Sequence, residues 1–342
     1  MEKPVKIKVV SKVSAVSSAA PFEYRPGYLF TEDASCNDYD WLVVHDEIPE
    51  RDTGTFREGS ELLACPRSNT ILATWEPTSI KCYTRAYAAQ FGHLLSNRPP
   101  EAEKHPRYHL GRGYYRSLVG RPYPEWASSP KCEKTDAVTA ICSSKAMRWT
   151  KHHARIQLLE RFVAETPGAE WYGHGVKEFA RKCDAMDSCR YHVALENHIA
   201  PHYWSEKITD AFLCECLPFY AGAPDLADDF PAESFIPVPI DDPKEAVAII
   251  NAAVKSGEYA KRREAILEAK RLVVEKYNFW AQVIAVIEGA KSAGEADIPD
   301  LSPQRIWARK VVRRKNPFAA LEAGFFHFRQ YMPKRAEKGI PA

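Results

Sequence analysis

The chain contains no run of eighteen apolar residues, so no stretch of its 342 residues is long and apolar enough to cross a bilayer as one helix. It opens on MEKPVKIKVV, which passes almost directly into an alternating strand pattern and not into a secretory leader, and this leads us to expect a cytoplasmic protein. No P-loop, GxGxxG or GxSxG occurs, which removes the common NTPase, dehydrogenase and hydrolase readings. Nine cysteines fall at positions 36, 65, 82, 132, 142, 183, 189, 214 and 216 with no CxxC pair. An odd, scattered set argues against a disulfide framework or a zinc knuckle and fits reduced thiols. Short internal repeats and low-complexity tracts are absent as well.

What remains is ordinary for a globular protein, with 45% hydrophobic and 27% charged residues, in a chain longer than a typical single domain. Strand signals at Val5 to Val10, Trp41 to Val44, Thr70 to Trp75 and Phe91 to Leu95 outline an N-terminal α/β half. The Pro-rich stretch Arg98 to Pro106 and the aromatic segment Tyr108 to Trp126 read as irregular connections. From residue 136 a regular alternation begins: a strand at Ala137 to Cys142, a helix at Thr150 to Ala164, and a strand at Ala169 to Tyr172 ending at Gly173. Amphipathic helices at Pro243 to Val254 and Tyr259 to Tyr277 close this second half. Strands alternating with helices imply parallel sheets covered on both faces. The expected division is an N-terminal α/β domain over 1–135, a C-terminal one over 136–300, and a tail over 301–342.

That tail is electrostatically distinct. Residues 301–342 hold ten Lys and Arg against Glu322 and Glu337, a net +8, which leaves the preceding 300 residues at about −6 within the chain total of +2. Trp307, Phe318, Leu321, Phe325, Phe326, Phe328 and Tyr331 are interleaved with the cations. The combination suits an anionic lipid surface. A helix packed on the body with a solvated basic edge is the plainer arrangement, and nucleic acid has no recognition motif to support it.

The most informative stretch is Tyr191 to Val238. Val193-Ala194-Leu195 ends a strand, Glu196 to Trp204 is a polar loop interrupted by Pro201, and Ser205 stands where a helix N-cap would. Ile208, Ala211 and Phe212 mark one buried helix face, and Leu217 to Tyr220 is a buried strand closed by Gly222. In open parallel sheets ligands sit outside the carboxyl ends of the strands, and a helix N-terminus offers free N–H groups to a phosphate. Glu206 and Lys207 lie in that first turn. A lysine there can meet a diphosphate, and a carboxylate there can accept from ribose hydroxyls.

The same residues carry a resemblance. Glu196-Asn197, Tyr203, Glu206-Lys207, Leu217-Pro218, Gly222 and Pro231-Ala232-Glu233-Ser234-Phe235-Ile236 resemble, in order and spacing, the donor-binding signature of family 10 glycosyltransferases, the α1,3/α1,4-fucosyltransferases. Leu195 replaces the usual Phe, His198 a Ser or Thr, and Ser205 a Thr. The resemblance implies an α/β fold of GT-B architecture, two Rossmann-like domains facing a cleft, with the second binding a GDP-sugar. Eukaryotic members usually carry a membrane anchor and stem; this sequence looks like the bacterial, cytoplasmic form, and its basic aromatic tail over 301–342 suits a peripheral place on the inner face of the cytoplasmic membrane.

Sugar transfer from a nucleotide diphosphate with inversion needs one general base for the acceptor hydroxyl and cationic or N–H stabilisation of the leaving phosphate. Glu76, at the end of the strand Ile71 to Trp75, matches the position of the family's proposed base, although a strand-end glutamate is also an ordinary solvated loop residue. Arg155, in a helix after Cys142-Ser143-Ser144, resembles the arginine that meets the diphosphate; Arg148 and Lys151 are alternatives. An arginine suits the task because its planar fork stays charged and binds phosphate bidentately. By resemblance Lys207 contacts phosphate, Glu206 the ribose, Asn197 and Tyr203 the nucleotide side, and Ser234 shapes the pocket wall. A surface Glu-Lys pair behind a capping serine is the alternative for Glu206 and Lys207.

His198 and His202, four apart, have a metal-ligand spacing but flank Pro201 in a loop. GT-B enzymes generally do without a metal, so the resemblance implies no tightly bound cofactor and no required divalent metal. The expected activity is transfer of L-fucose from GDP-L-fucose to a glycan hydroxyl of a surface polysaccharide or lipopolysaccharide. A different GDP-sugar, or a non-catalytic glycan-binding scaffold, are the alternatives.

Overall fold

The structure is a computed structural model, and it describes residues 3–11, 21–49, 57–78, 80–112, 119–121, 123–143, 152–294 and 304–331. Two compact units are formed. The first takes residues 1–95, 103–109 and 287–342, and the second takes 96–102 and 110–286.

In the first unit the strands are β1 (Val5–Ser11), β2 (Phe22–Arg25), β3 (Tyr28–Thr31), β4 (Trp41–His45), β5 (Ser60–Leu62) and β6 (Thr70–Thr74); helix α1 (Arg85–Ala88) and strands β7 (His93–Ser96) and β8 (Tyr108–Leu110) follow. Their main sheet runs β2-β3-β1-β4-β6-β7-β8. The β3-β1, β1-β4 and β4-β6 pairs are parallel, and β2 joins β3 as an antiparallel edge. Every residue of β4 and β6 is buried, the near-continuous apolar reading of a central parallel strand.

The second unit contains β9 (Thr135–Ile141), α2 (His152–Glu165), β10 (Ala169–Tyr172), α3 (Lys182–Met186), β11 (Cys189–Leu195), α4 (Glu206–Leu213), β12 (Leu217–Ala221) and β13 (Ile236–Pro237), followed by α5 (Pro243–Lys255), α6 (Glu258–Lys261), α7 (Arg263–Glu275) and α8 (Phe279–Ser292). Its sheet is wholly parallel in the order β10-β9-β11-β12-β13. Side chains alternate across it with period two. Tyr191, Val193, Leu195, Leu217 and Phe219 face a layer made by α2 and α5, and Ala194 and Tyr220 face the opposite layer, where Ile208, Phe212 and Val273 of α4 and α7 pack. The sheet is thus covered on both faces, and the α/β class expected from the sequence is the one adopted. The chain leaves β9 toward β10 on one side and returns to β11 on the other, so a topological switch point lies between β9 and β11.

The units divide the chain differently from the sequence expectation of 1–135, 136–300 and 301–342. Residues 110–134 go with the second unit, and the C-terminal segment is built into the first. Strand β14 (Arg305–Trp307) pairs antiparallel with β5, and helices α9 (Arg309–Lys315) and α10 (Pro317–Tyr331) follow it. Ile306, Ala308, Val312 and Ala319 are buried in the same core as Val44, Leu72 and Tyr87. The aromatic and basic residues dominate this segment by count, and they hide a narrow stripe of small apolar residues that docks it. No helix among the described residues is long and apolar enough to cross a membrane.

Candidate functional site

Strand β11 carries its alternation one residue past its end. The Glu196 N–H donates to the Ala221 carbonyl at 2.8 Å, so its side chain falls on the Ala194 face, the one covered by α4. There it is fully buried. Its Oε1 accepts from the Ser205 N–H and hydroxyl, both at 2.8 Å, and its Oε2 lies 3.3 Å from Lys207 Nζ. Ser205 is the N-cap of α4, as its sequence position suggested, with its Oγ accepting from the Lys207 N–H. The Lys207 ammonium donates to the same Oγ at 2.8 Å and pairs with Glu206 at 3.3 Å.

Lys182 of α3 adds a second cation, 2.8 Å from Asp210 and 3.9 Å from Glu206. Burial alone would push the Glu206 carboxyl up, but Lys207 and Lys182 more than offset it and hold it down at about 2. Burial would likewise depress Lys207; the Glu196 and Glu206 carboxylates prevail and raise it above the ordinary lysine value. Both groups are therefore charged at neutral pH. Glu196, Glu206 and Asp210 thus meet Lys182 and Lys207 in one ion-pair network at the start of α4.

Arg155 projects from α2 into the same electrostatic neighbourhood, where its charge acts on Lys207. It is buried, its Nη2 donates to Cys142 Sγ at the end of β9 at 2.6 Å, and its Nε has no hydrogen-bond partner among the described residues. Gly173, at φ 148°, closes the end of β10 against this corner, where a Cβ would stand 2.2 Å from the Cys142 carbonyl oxygen. Gly222 is equally constrained, since a Cβ there would lie 2.0 Å from the Tyr220 hydroxyl and 2.7 Å from Glu196 Cγ.

The loop between β11 and α4 is pinned at three places. Trp204 is buried against Phe230 and Tyr277 and donates to Asp229 at 2.8 Å. His202 adopts φ 64°, its N–H donates to both Asp225 oxygens, and its Nδ1 lies 2.5 Å from Asp225 and 2.9 Å from Arg112. The Tyr203 hydroxyl donates to Asn197 Oδ1 at 3.5 Å, and the His198 ring meets Tyr203 edge-on.

Of the residues singled out in the sequence, Asn197, Tyr203, Glu206 and Lys207 are brought together with Arg155 around the carboxyl ends of β9 and β11, at the switch point. Arg148 and Lys151 lie outside the described residues. Ser234 is buried within the second unit, and its hydroxyl has no partner among the described residues. Glu76 belongs to the first unit, two residues beyond β6 and half-buried after the buried Trp75. Beside β6, the end of β4 carries a cluster that sequence reasoning missed. Asp46, at φ 64°, accepts from Tyr83 and from Lys81 at 3.1 Å, and Glu47 pairs with Lys81 at 3.5 Å and Arg309 at 2.8 Å. Sequence reasoning also gave Glu196 no role beyond its place in the motif and passed over Lys182. A carboxylate directly after an apolar strand was the visible signal for the first; the second reaches the site from another element and leaves no local trace.

No protein-family model and no curated protein matches the chain. Among solved structures it is similar to an α1,3-fucosyltransferase with GDP-fucose, at 13% identity and a TM-score of 0.48 over 89% of this chain and 94% of that one. It is similar to sucrose-phosphate synthase from Thermosynechococcus elongatus at 8% identity and a TM-score of 0.48, over 86% and 90%. A third similarity is to Anabaena HepE in complex with UDP-glucose, at 12% identity and a TM-score of 0.45, over 74% and 79%.

Proposed function

We propose that the protein is an inverting GT-B glycosyltransferase of the family 10 type that moves a sugar, L-fucose in the first instance, from its GDP conjugate to a glycan hydroxyl. The observation that carries this reading is the coincidence of sequence motif and topology. The residues resembling a donor signature converge at the switch point of a parallel sheet, on a capped helix N-terminus, the part of such a fold that suits a diphosphate.

In this reading Arg155 and the free N–H groups of α4 take the diphosphate, because Lys207 is already balanced by two carboxylates while Arg155 retains an unused donor. Lys207 adds charge to the same phosphates, and Glu206, ionised throughout the neutral range, accepts from the ribose hydroxyls. Asn197 and Tyr203 line the nucleotide side. Glu76 takes the proton of the acceptor hydroxyl as it attacks the anomeric carbon, and the leaving GDP carries away the electrons of the broken glycosidic bond. No metal enters this scheme. The acceptor belongs to a surface polysaccharide or lipopolysaccharide, and the enzyme works at the anionic inner face of a membrane.

A thermal-shift panel with GDP, UDP, CMP and ADP tests the donor half. A ligand at about a hundred times its dissociation constant stabilises by about 2.7 kcal/mol, which a melt resolves. A shift with GDP alone supports the reading, whereas preference for UDP or indifference to GDP overturns it. Glu76→Gln should abolish transfer from GDP-fucose and leave the GDP shift intact; unchanged transfer would remove Glu76 from the base role.

A further inference from the structure

Helix α10 has two opposed faces. Ala319 and Ala323 are buried, and Glu322 turns its carboxylate to the Arg85 N–H at 3.0 Å. On the other side Phe318 is 82% exposed, Leu321 70%, Phe325 59% and Phe328 56%. With 3.6 residues per turn these four fall within an arc of roughly 80°. They are the most exposed large apolar side chains among the described residues, and they form one stripe.

Directly ahead of the stripe, α9 divides its cations. Arg309 and Arg313 turn inward, Arg309 to Glu47 at 2.8 Å and both to the Cys82 carbonyl. Lys310, Arg314 and Lys315 are exposed, with Lys315 over the Trp307 ring. Beyond Tyr331 the sequence adds Lys334, Arg335 and Lys338 against Glu337. An apolar stripe on a helix that follows exposed cations in the chain and turns its own acid away matches a surface that is apolar beneath and negative above. A second copy of the chain fits worse. Four side chains on one helix fall short of the roughly 800 Å² per partner of a standard interface.

We propose that the outer face of α10, with Lys310, Arg314 and Lys315, docks the protein on an anionic lipid bilayer, the helix lying in the headgroup plane. This narrows the membrane partner named above to one helix face and rests on that part of the reading; the donor site belongs to the other unit and stands or falls separately.

The test is flotation of the full chain with phosphatidylcholine vesicles, with and without phosphatidylglycerol, across a salt series. Binding should require phosphatidylglycerol and weaken as salt rises. Phe318→Ser with Leu321→Ser should weaken it about tenfold or more, and Arg314→Glu with Lys315→Glu should abolish its dependence on phosphatidylglycerol. All four side chains are exposed, so melting temperature and the GDP shift should be unchanged, which separates this proposal from the donor reading. Failure of the wild-type chain to float, or equal flotation of wild type and both variants, overturns it. So does salt-independent binding to phosphatidylcholine alone, or a concentration-dependent dimer that Phe318→Ser with Leu321→Ser dissolves.

Discussion

Two glycines make opposite demands on one additional carbon. At Gly222 a Cβ would collide with the Tyr220 hydroxyl, which is held by the Ala223 N–H at 2.9 Å, and with the buried Glu196 side chain. Gly222→Ala should therefore cost about 2 kcal/mol or more and disturb the donor corner. At Gly324, inside α10, a Cβ meets nothing within 4 Å, so Gly324→Ala should stabilise by about 0.5–1 kcal/mol. Urea melts of both variants measure the contrast. Glu196 is a third residue of this kind. Glu196→Ala leaves the Lys207 ammonium and two Ser205 donors short of their acceptor, a loss of about 3 kcal/mol, while Ser205→Ala, which removes the cap and the hydroxyl's bonds to Glu196 and Lys207 but keeps the Glu196–Lys207 pair, costs less, about 1–2. Equal losses in the two variants would mean that the carboxylate contributes nothing beyond the serine. The motif letters of this corner were legible in the sequence because they are local in the chain. The roles of Glu196 and Lys182 were not, since both depend on which side chains a parallel sheet brings across.

At the scale of elements, periodicity was readable wherever one face alone is buried. The reading of α5 as Pro243 to Val254 lies within one residue of the helix found, and Ala169 to Tyr172 is β10 as expected. The helix read as Tyr259 to Tyr277 is broken at Arg262, φ −105° and ψ 5°, into α6 and α7. Helix α8 escaped notice because it is apolar on most sides, with Phe279, Val283, Ile284, Val286 and Ile287 all buried, so no polar stripe marks its period. The β2-β3 hairpin turns at Gly27, φ 89°, whose Pro-Gly signal was present in the sequence and passed over. The C-terminal segment matters most for experiment. Because β14 completes β5, and Ile306, Ala308 and Ala319 fill the core, truncation after Asp300 should lower the melting temperature and the soluble yield. Truncation after Tyr331 should do neither. Equal melts for the two truncated chains would show that β14 and α9 do not support the first unit.

At the scale of the whole molecule, what the sequence concealed is long-range: the return of residues 287–342 to the first unit, and the strand orders that create a switch point, both of which join segments far apart in the chain. What it shares between the units is a buried neutral histidine in each main sheet. In β11, His192 is buried with its Nδ1 3.0 Å from the Thr139 hydroxyl, and burial, aided by Lys182, lowers it to about 3. In β7, His93 is lowered to about 4 by burial and by His109, Arg107 and His105. Both folded values lie below the unfolded value of about 6.5, so between them the unfolded chain binds more protons than the native one. Stability from each is complete above pH 6.5 and declines as pH falls, by up to about 1.4 kcal/mol per unit, until the folded value is reached. The melting temperature should thus drop steadily from pH 6.5 to about 5, above the range near 4 in which the carboxylates of the unfolded chain titrate. His192→Gln, which keeps a polar side chain near Thr139 but cannot titrate, should flatten that slope in the second unit while the first still responds through His93. A slope unchanged by His192→Gln, measured as melting temperature against pH, would mean that the acid sensitivity arises elsewhere.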